Sequence, residues 1–220
     1  MDFVIAVDGA AASGKGTLAA RLAAEHGLPH LDTGLLYRAV GRAVHAAGGD
    51  PDDAEAAALA ARAVDPTRLD DPELQSAAAG EAASQVAAHP AVRQALFDLQ
   101  RRFACQPGGA VLDGRDIGTV IAPEAAAKLY VDADVRERAR RRWLQVSARG
   151  DKRTLEDLVG ELTRRDARDS GRTAAPMVRA PEAVLLDTTS LSISQAADAA
   201  RRIVEAARAR WLEQRSTASG

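Results

Sequence analysis

Cysteine is almost missing from this chain of 220 residues: Cys105 stands alone, so no intramolecular disulfide can form and a reducing, cytosolic compartment is expected. Aromatic residues make up only 3%, too few for stacking platforms on which bases could lie, and they leave the core to Leu, Val, Ile and Ala. Neither sign of charge dominates. The 29 Lys and Arg face 31 Asp and Glu, which excludes a general nucleic-acid coat or an anionic-membrane binder and confines any anion site to a local patch. No run approaches the ~20 apolar residues of a membrane span, and the N-terminus enters a strand-like run without a charged leader, so neither insertion nor export is expected. The histidines His26, His30, His45 and His89 lack zinc-type spacing. Lysine is scarce as well: Lys15, Lys128 and Lys152 are the only three among the 29 cations.

What is present is a chain that folds. At 46% hydrophobic and 27% charged it sits near the globular average, and its length suits one α/β domain. Residues 3–8 (FVIAVD) form a short apolar run, followed by a small-residue loop and a helical pattern with Leu18 and Leu22. Similar runs at 110–112, 128–131 and 183–186 each end at an aspartate (Asp113, Asp132, Asp187), and a weaker one lies at 28–31. Short apolar strands alternating with helices predict a parallel sheet wrapped by helices. Helical stretches at 35–47, 53–64, 72–88 and 90–103 predict an inserted lobe over about 35–104. A second insertion, a lid over about 145–172, lies in an arginine-dense stretch where Arg149, Gly150 and Asp151 interrupt two helices. Residues 215–220 read as a frayed polar tail.

The loop after the first strand reads GAAASGKGT: Gly9, Ala10, Ala11, Ala12, Ser13, Gly14, Lys15, Gly16 and Thr17. A Gly-x4-Gly-Lys arrangement between strand and helix is what a phosphate-binding P-loop requires. Small residues let successive backbone N–H groups turn inward, the helix start adds positive potential, and Lys15 brings a compact cation to the β and γ phosphates. Gly16 occupies the position after the lysine, so the hydroxyl that usually meets Mg²⁺ is displaced to Thr17.

Residues 31–38 (LDTGLLYR) place Thr33, Tyr37 and Arg38 just beyond a strand end, where α/β folds seat ligands. Thr33 as a plain helix N-cap and Tyr37 as a core aromatic fit the same residues. Residues 113–119 (DGRDIGT) gather Asp113, Arg115 and Asp116 at the exit of a buried strand. They suit either a Walker-B-like Mg²⁺ acid with ligand-binding neighbours or a salt-bridged loop. Arg164, Arg168 and Arg172 at i, i+4 and i+8 share a helix face if the helix persists to Gly171, with Arg165 and Asp169 beside them, and Arg138, Arg141 and Arg142 form a second stripe. Such stripes suit a solvated surface or a polyphosphate.

Taken together, these motifs resemble the cytidylate kinase family of nucleoside-monophosphate kinases over nearly the whole chain. GAAASGKGT is similar to that family's nucleotide loop, LDTGLLYR to its monophosphate-side turn, residues 83–96 (ASQVAAHPAVRQAL) to its base-reading segment, DGRDIGT to its central loop and RRDARDSGR to its lid-side motif. The resemblance implies a P-loop three-layer α/β fold with a five-stranded parallel sheet in the order 2-3-1-4-5, a small helical monophosphate lobe and a lid hairpin. It implies ATP with Mg²⁺, held by residues 9–17 with Thr17 and Asp113 on the metal side, and a CMP or dCMP acceptor. That acceptor would meet Thr33, Tyr37, Arg38, Ser84, Arg93, Arg115, Asp116, Arg165, Asp169 and Arg172, with Ser84, Arg93 and Asp116 nearest the base. Lys15, Arg141, Arg168 and Arg172 would act on the transferring phosphoryl group, with Arg138 and Arg142 adding lid charge. Two departures stand out. Ala12 replaces a frequent glycine, harmless if its φ is negative, and residues 64–80 are short and alanine-rich where longer relatives carry a small β insert.

A phosphate acceptor needs no general base, because its second pKa of ~6 leaves it mostly ionised near neutrality. The rival classes are a P-loop kinase for UMP, AMP or a small alcohol, and a nucleotide-binding switch protein without transfer activity. A cytoplasmic monomer is expected.

Overall fold

The computed structural model describes residues 1–148 and 150–218. Five strands, β1 (Val4–Gly9), β2 (His30–Asp32), β3 (Ala110–Gly114), β4 (Ala127–Asp132) and β5 (Val184–Asp187), form one sheet in the order β2-β3-β1-β4-β5. Every pairing is parallel, with β1 central, Val4 opposite Ala110 on one side and Ile5 opposite Ala127 on the other. This is the order the resemblance implied. The edge strand β2 starts two residues later than the apolar run at 28–31. Gly27 turns left-handed at φ 63° to end the preceding helix, and Pro29 has no N–H for a ladder.

Eight helices are described: α1 (Lys15–His26), α2 (Thr33–Ala46), α3 (Ala54–Arg62), α4 (Ala77–Val86), α5 (Pro90–Ala104), α6 (Val135–Ser147), α7 (Leu155–Ser170) and α8 (Ile193–Ala218). Because strand side chains alternate, β1 feeds two cores. Val4 and Ala6 pack with Leu36, Val40 and Leu96 of α2 and α5, while Ile5 and Val7 pack with Leu18, Leu22 and Val204 of α1 and α8. Helix on sheet on helix gives three layers. With few aromatics the helices must approach closely, and α2 meets α4 at Gly41, where a Cβ would stand 2.6 Å from that of Ala82.

Helices α2 to α5 fall between β2 and β3, as the patterning predicts, with one correction. Residues 72–88 are not a single helix: Pro72–Gln75 is a 3₁₀ turn, and α4 starts afresh where the Ser76 hydroxyl accepts from the Ala79 N–H. The alanine-rich stretch 64–80 holds this turn and a second one, Pro66–Arg68, each opened by an aspartate cap, and no strand.

The α6–α7 hairpin packs Val146, Leu158 and Leu162 around Ala139 and Ala11 of the loop between β1 and α1. Thr154 and Asp157 cap α7 reciprocally. Arg149, expected in the connecting turn, lies outside the described residues. The expected tail at 215–220 is helical through Ala218, with residues 219 and 220 outside the described set. Trp211 meets Phe3 edge-on at 5.4 Å, and Arg215 covers the Trp211 ring and reaches Asp2 at 3.5 Å, which ties that end of α8 down.

Candidate active site

The loop from β1 into α1 is shaped by where its chain can go. At Gly9 a Cβ would lie 1.9 Å from the carbonyl oxygen of Val131, so only glycine lets β1 run on beside β4. Ala12 has φ 59°, which corrects the expectation of a negative value: the loop turns left-handed through a residue that resists it. Two loop carbonyls are held from outside, that of Ala11 by Arg138 at 3.1 Å and that of Ser13 by the Thr188 hydroxyl at 3.0 Å. Both contacts fix the course of the loop from outside. Gly14 begins α1 with no side-chain cap, and the buried Ser13 Oγ has no partner, so the helix start is an open set of donors. Burial pushes the Lys15 amine down to about 8, with help from Arg115, while Asp113 and Asp32 oppose the shift. Thr17 stands exposed on the first turn of α1.

Beside this loop α2, α4, α5, α7 and the turn after β3 enclose a cleft of about 50 Å³. Its walls bring together nine of the ten acceptor residues expected from the sequence: Thr33, Tyr37, Ser84, Arg93, Arg115, Asp116, Arg165, Asp169 and Arg172. The tenth, Arg38, stands at its edge, donating to the carbonyls of Leu74 (2.7 Å) and Ser76 (3.0 Å). Asp169, 1% exposed, accepts from the Ser84 hydroxyl at 2.9 Å, from Arg115 Nε at 3.1 Å and from Arg172. Burial alone would raise its pKa, but Arg115, Arg172 and Arg165 hold the carboxyl below the ordinary value. Arg93 pairs with Asp116 and lies over the Tyr37 ring, 5.5 Å from its centre.

The cleft is over-supplied with cations. Four guanidiniums face two carboxylates, and Nε of Arg165 and of Arg172 is buried without a hydrogen-bond partner. Burial, with Arg115 beside it, pushes the Arg165 guanidinium down to about 10. An excess of two positive charges matches a phosphate monoester, which carries about −1.5 to −2 near neutrality.

Between loop and cleft, Asp113 at the end of β3 is 1% exposed. Its Oδ1 meets His30 Nε2 at 2.8 Å, and its backbone carbonyl accepts from the Thr33 hydroxyl at 2.8 Å. Thr33 is therefore not the N-cap of α2, a place taken by Asp32. Burial and the neighbouring Asp113 raise the pKa of Asp32. Asp8, at the end of β1, accepts from the N–H groups of Ile117 and Gly118 at 2.8 and 2.7 Å, anchoring the 113–119 turn, and burial raises its carboxyl to about 7.

The two arginine stripes are placed unequally. Arg172 lies in the cleft, and Arg168 spans to Glu81 of α4 at 2.8 Å with its buried Nη1 unpartnered. Arg164 lines a groove with Ala77 and Glu81 of α4. Arg141 turns toward β5, bonding Glu137 and Thr188, so it touches the loop between β1 and α1 only through Thr188. Arg142 lines a cleft of about 330 Å³ between the hairpin and residues 75–77. Arg138, 5% exposed, joins Ala11, Ala133 and Asp166.

An open phosphate loop set against a buried arginine cleft at the C-terminal edge of a 2-3-1-4-5 sheet is accompanied by matching likenesses. A model of the cytidylate kinase family matches residues 5–206. The chain belongs to the cytidylate kinase family. It is 61% identical over 211 residues to a cytidylate kinase of Caulobacter sp. (strain K31), covering 96% of this chain and 98% of that one. It is 60% identical to a cytidylate kinase of Xanthobacter autotrophicus, with 94% and 99% covered, and 54% identical to that of Rhodopseudomonas palustris (strain TIE-1), with 94% and 97% covered. In fold, it overlays a crystal structure of an uncharacterized protein from Eubacterium ventriosum at TM-score 0.54 and 12% identity, with 94% of this chain and 99% of that one covered.

Several parts of this family member's site escape a reading of the sequence. Thr188, Glu81 and His30 come from segments up to 175 residues away from their partners, and Asp166, though inside the motif at 164–172, carries no sign that it meets Arg138. Only His30 carried a signal: it sits two residues before Asp32, on the same face of the strand.

Proposed function

We propose that this chain transfers the γ-phosphoryl group of ATP to CMP or dCMP, giving CDP or dCDP. The observation that carries this is the adjacency of two anion sites of different make. One is an uncapped helix start with Lys15, the other a cleft with two surplus guanidinium charges. Membership of the cytidylate kinase family supports cytidylate as the acceptor.

In this reading the N–H groups of residues 9–17 and the Lys15 ammonium bind the polyphosphate of ATP, and Arg38, Arg115, Arg165 and Arg172 bind the acceptor phosphate. Arg115 stands close enough to Lys15 to help lower the proton affinity of its amine, which supports this as the place where donor and acceptor meet. Charge spreading over the transferring group is stabilised there by Lys15, Arg172 and Arg168, with Arg141 supporting the loop through Thr188. No side chain need remove a proton. Asp169, held below the ordinary carboxylate range, is a weak base, which tells against an alcohol acceptor.

Among the described residues no three His, Cys, Asp or Glu gather into a metal cage. The free Oδ2 of Asp113 nonetheless faces Gly16, 3.7 Å from where a Cβ would sit, and suits a cation carried by nucleotide phosphates and water. Asp113, with Thr17, would hold Mg²⁺ there, and the ion would supply neutralisation of the polyphosphate charge. The Arg93 guanidinium and the Ser84 hydroxyl, with Asp116, line the cleft and would meet the base. The cleft of about 50 Å³ holds only a few waters, so α7 and α4 must part to admit a nucleotide and close again to exclude water.

ATP-dependent conversion of CMP, dCMP, UMP and AMP, measured side by side, tests this. CMP and dCMP should be converted best; preference for AMP, or tight ATP binding without transfer to any of them, overturns it.

A further inference from the structure

His30 has no part in the scheme above, yet it touches the acid at its centre. It stands on β2 two residues before Asp32, and β2 pairs with β3 so that Asp32 lies opposite Asp113. From there the ring reaches diagonally across to Asp113, with Nε2 2.8 Å from Oδ1. The imidazole keeps 24% of its side-chain surface exposed against 2% for Asp113, so the ring closes the outer side of a carboxylate that is otherwise sealed in.

The remaining freedom of Asp113 is small. Its main chain is held by the ladder to Asp32 and Val7 and by the Thr33 hydroxyl on its carbonyl, which leaves only side-chain rotation. Rotation matters because Asp113 has two competing neighbours. Lys15 attracts it, and Asp32, whose carboxyl it pushes up, repels it. A carboxylate free to swing onto Lys15 would neutralise the ammonium that the nucleotide phosphates require. With Oδ1 tied to His30, Oδ2 is left facing Gly16 at the start of α1.

We propose that His30 is a positioning residue for phosphoryl transfer: its Nε2–H holds the Asp113 carboxylate so that one oxygen is committed outward and the other is aimed at the first turn of α1. This rests on the assignment of Asp113 to the metal side of the donor site. Groups that orient an ion's acid partners typically alter metal affinity or activity by about 10- to 100-fold when removed. The donor, rather than the ring, is what matters, so glutamine, whose amide reaches about as far as Nε2, should substitute.

The experiment compares His30→Phe, His30→Gln and Asp113→Asn with the parent enzyme. It measures kcat, KM for CMP, melting temperature, and Mn²⁺ affinity of the enzyme–ATP complex without acceptor, the last by electron paramagnetic resonance of free Mn²⁺. His30→Phe should lower kcat and weaken Mn²⁺ binding, each by about 10-fold or more, with KM for CMP within about twofold. His30→Gln should recover most of both. Parent-like kcat and Mn²⁺ affinity in His30→Phe, a loss confined to KM for CMP, or a glutamine variant as damaged as the phenylalanine one overturns the role of His30. If Asp113→Asn itself leaves Mn²⁺ affinity unchanged, the assignment of Asp113 fails, and that outcome is distinct from a failure at His30 alone.

Discussion

Arg138 of α6 and Asp166 of α7 are joined at 2.6 Å, and the same guanidinium holds the Ala11 carbonyl of the nucleotide loop at 3.1 Å. One buried side chain thus connects the loop to the helix that carries Arg165 and Asp169, with Arg172 just beyond its C-terminal end. A shift of α7 would therefore be felt at the loop through charge-assisted contacts.

Asp166→Asn should lower unfolding free energy by about 2 kcal/mol, the scale of a hydrogen bond to a charged group, because Arg138 stays buried with a weaker partner. It should also raise KM for ATP and for CMP together. Urea unfolding and two-substrate kinetics check both, and a rise in KM for one substrate only would contradict the coupling.

Lys15→Ala should reduce turnover by at least about 100-fold with the circular dichroism spectrum unchanged. In the free enzyme, burial sets the Lys15 pKa at about 8, so the ammonium is present below that pH and lost above it. The value of kcat/KM for ATP should therefore fall above about pH 8, whereas kcat, which reports the complex, should hold to higher pH because bound phosphates restore the ammonium. A pH–rate profile in which both parameters stay flat to pH 10 would refute the placement.

Arg93→Ala should weaken selectivity for cytidylate. Its charge-assisted contact with Asp116 lies in the cleft where we propose the base sits, and its loss should lower kcat/KM for CMP by about 10- to 100-fold. UMP should suffer less. Equal losses with every monophosphate would remove Arg93 from base reading.

Ala12→Gly should stabilise the fold by about 0.5 kcal/mol. Relief of a left-handed alanine outweighs the entropy of an added glycine. Ala19→Gly, in the interior of α1, should instead destabilise by about 1 kcal/mol. Chemical denaturation of the two variants side by side decides whether the loop stores strain.

The layered fold was legible because its signals are local. Apolar runs ending at Asp8, Asp113 and Asp132 marked strand ends, and the spacing of GAAASGKGT placed a helix start just after the loop. Where neighbours decide, the same patterns misled: Pro72 and Ser76 split a helix that periodicity joined, and Trp211 with Phe3 ordered an end that composition left frayed.

By itself the amino-acid sequence determined a parallel α/β chain, a small-residue loop from strand into helix at Gly9 to Thr17, and which arginines and aspartates the cleft can draw on, since these follow from short-range periodicity and steric demand. Only the tertiary structure decided how they pair. It set Arg172 and Arg115 on Asp169, turned Arg141 away to Thr188, gave Asp113 to His30, and put a left-handed turn at Ala12. Charge partners separated by tens of residues are chosen by strand register and helix packing, and no window of sequence contains that information.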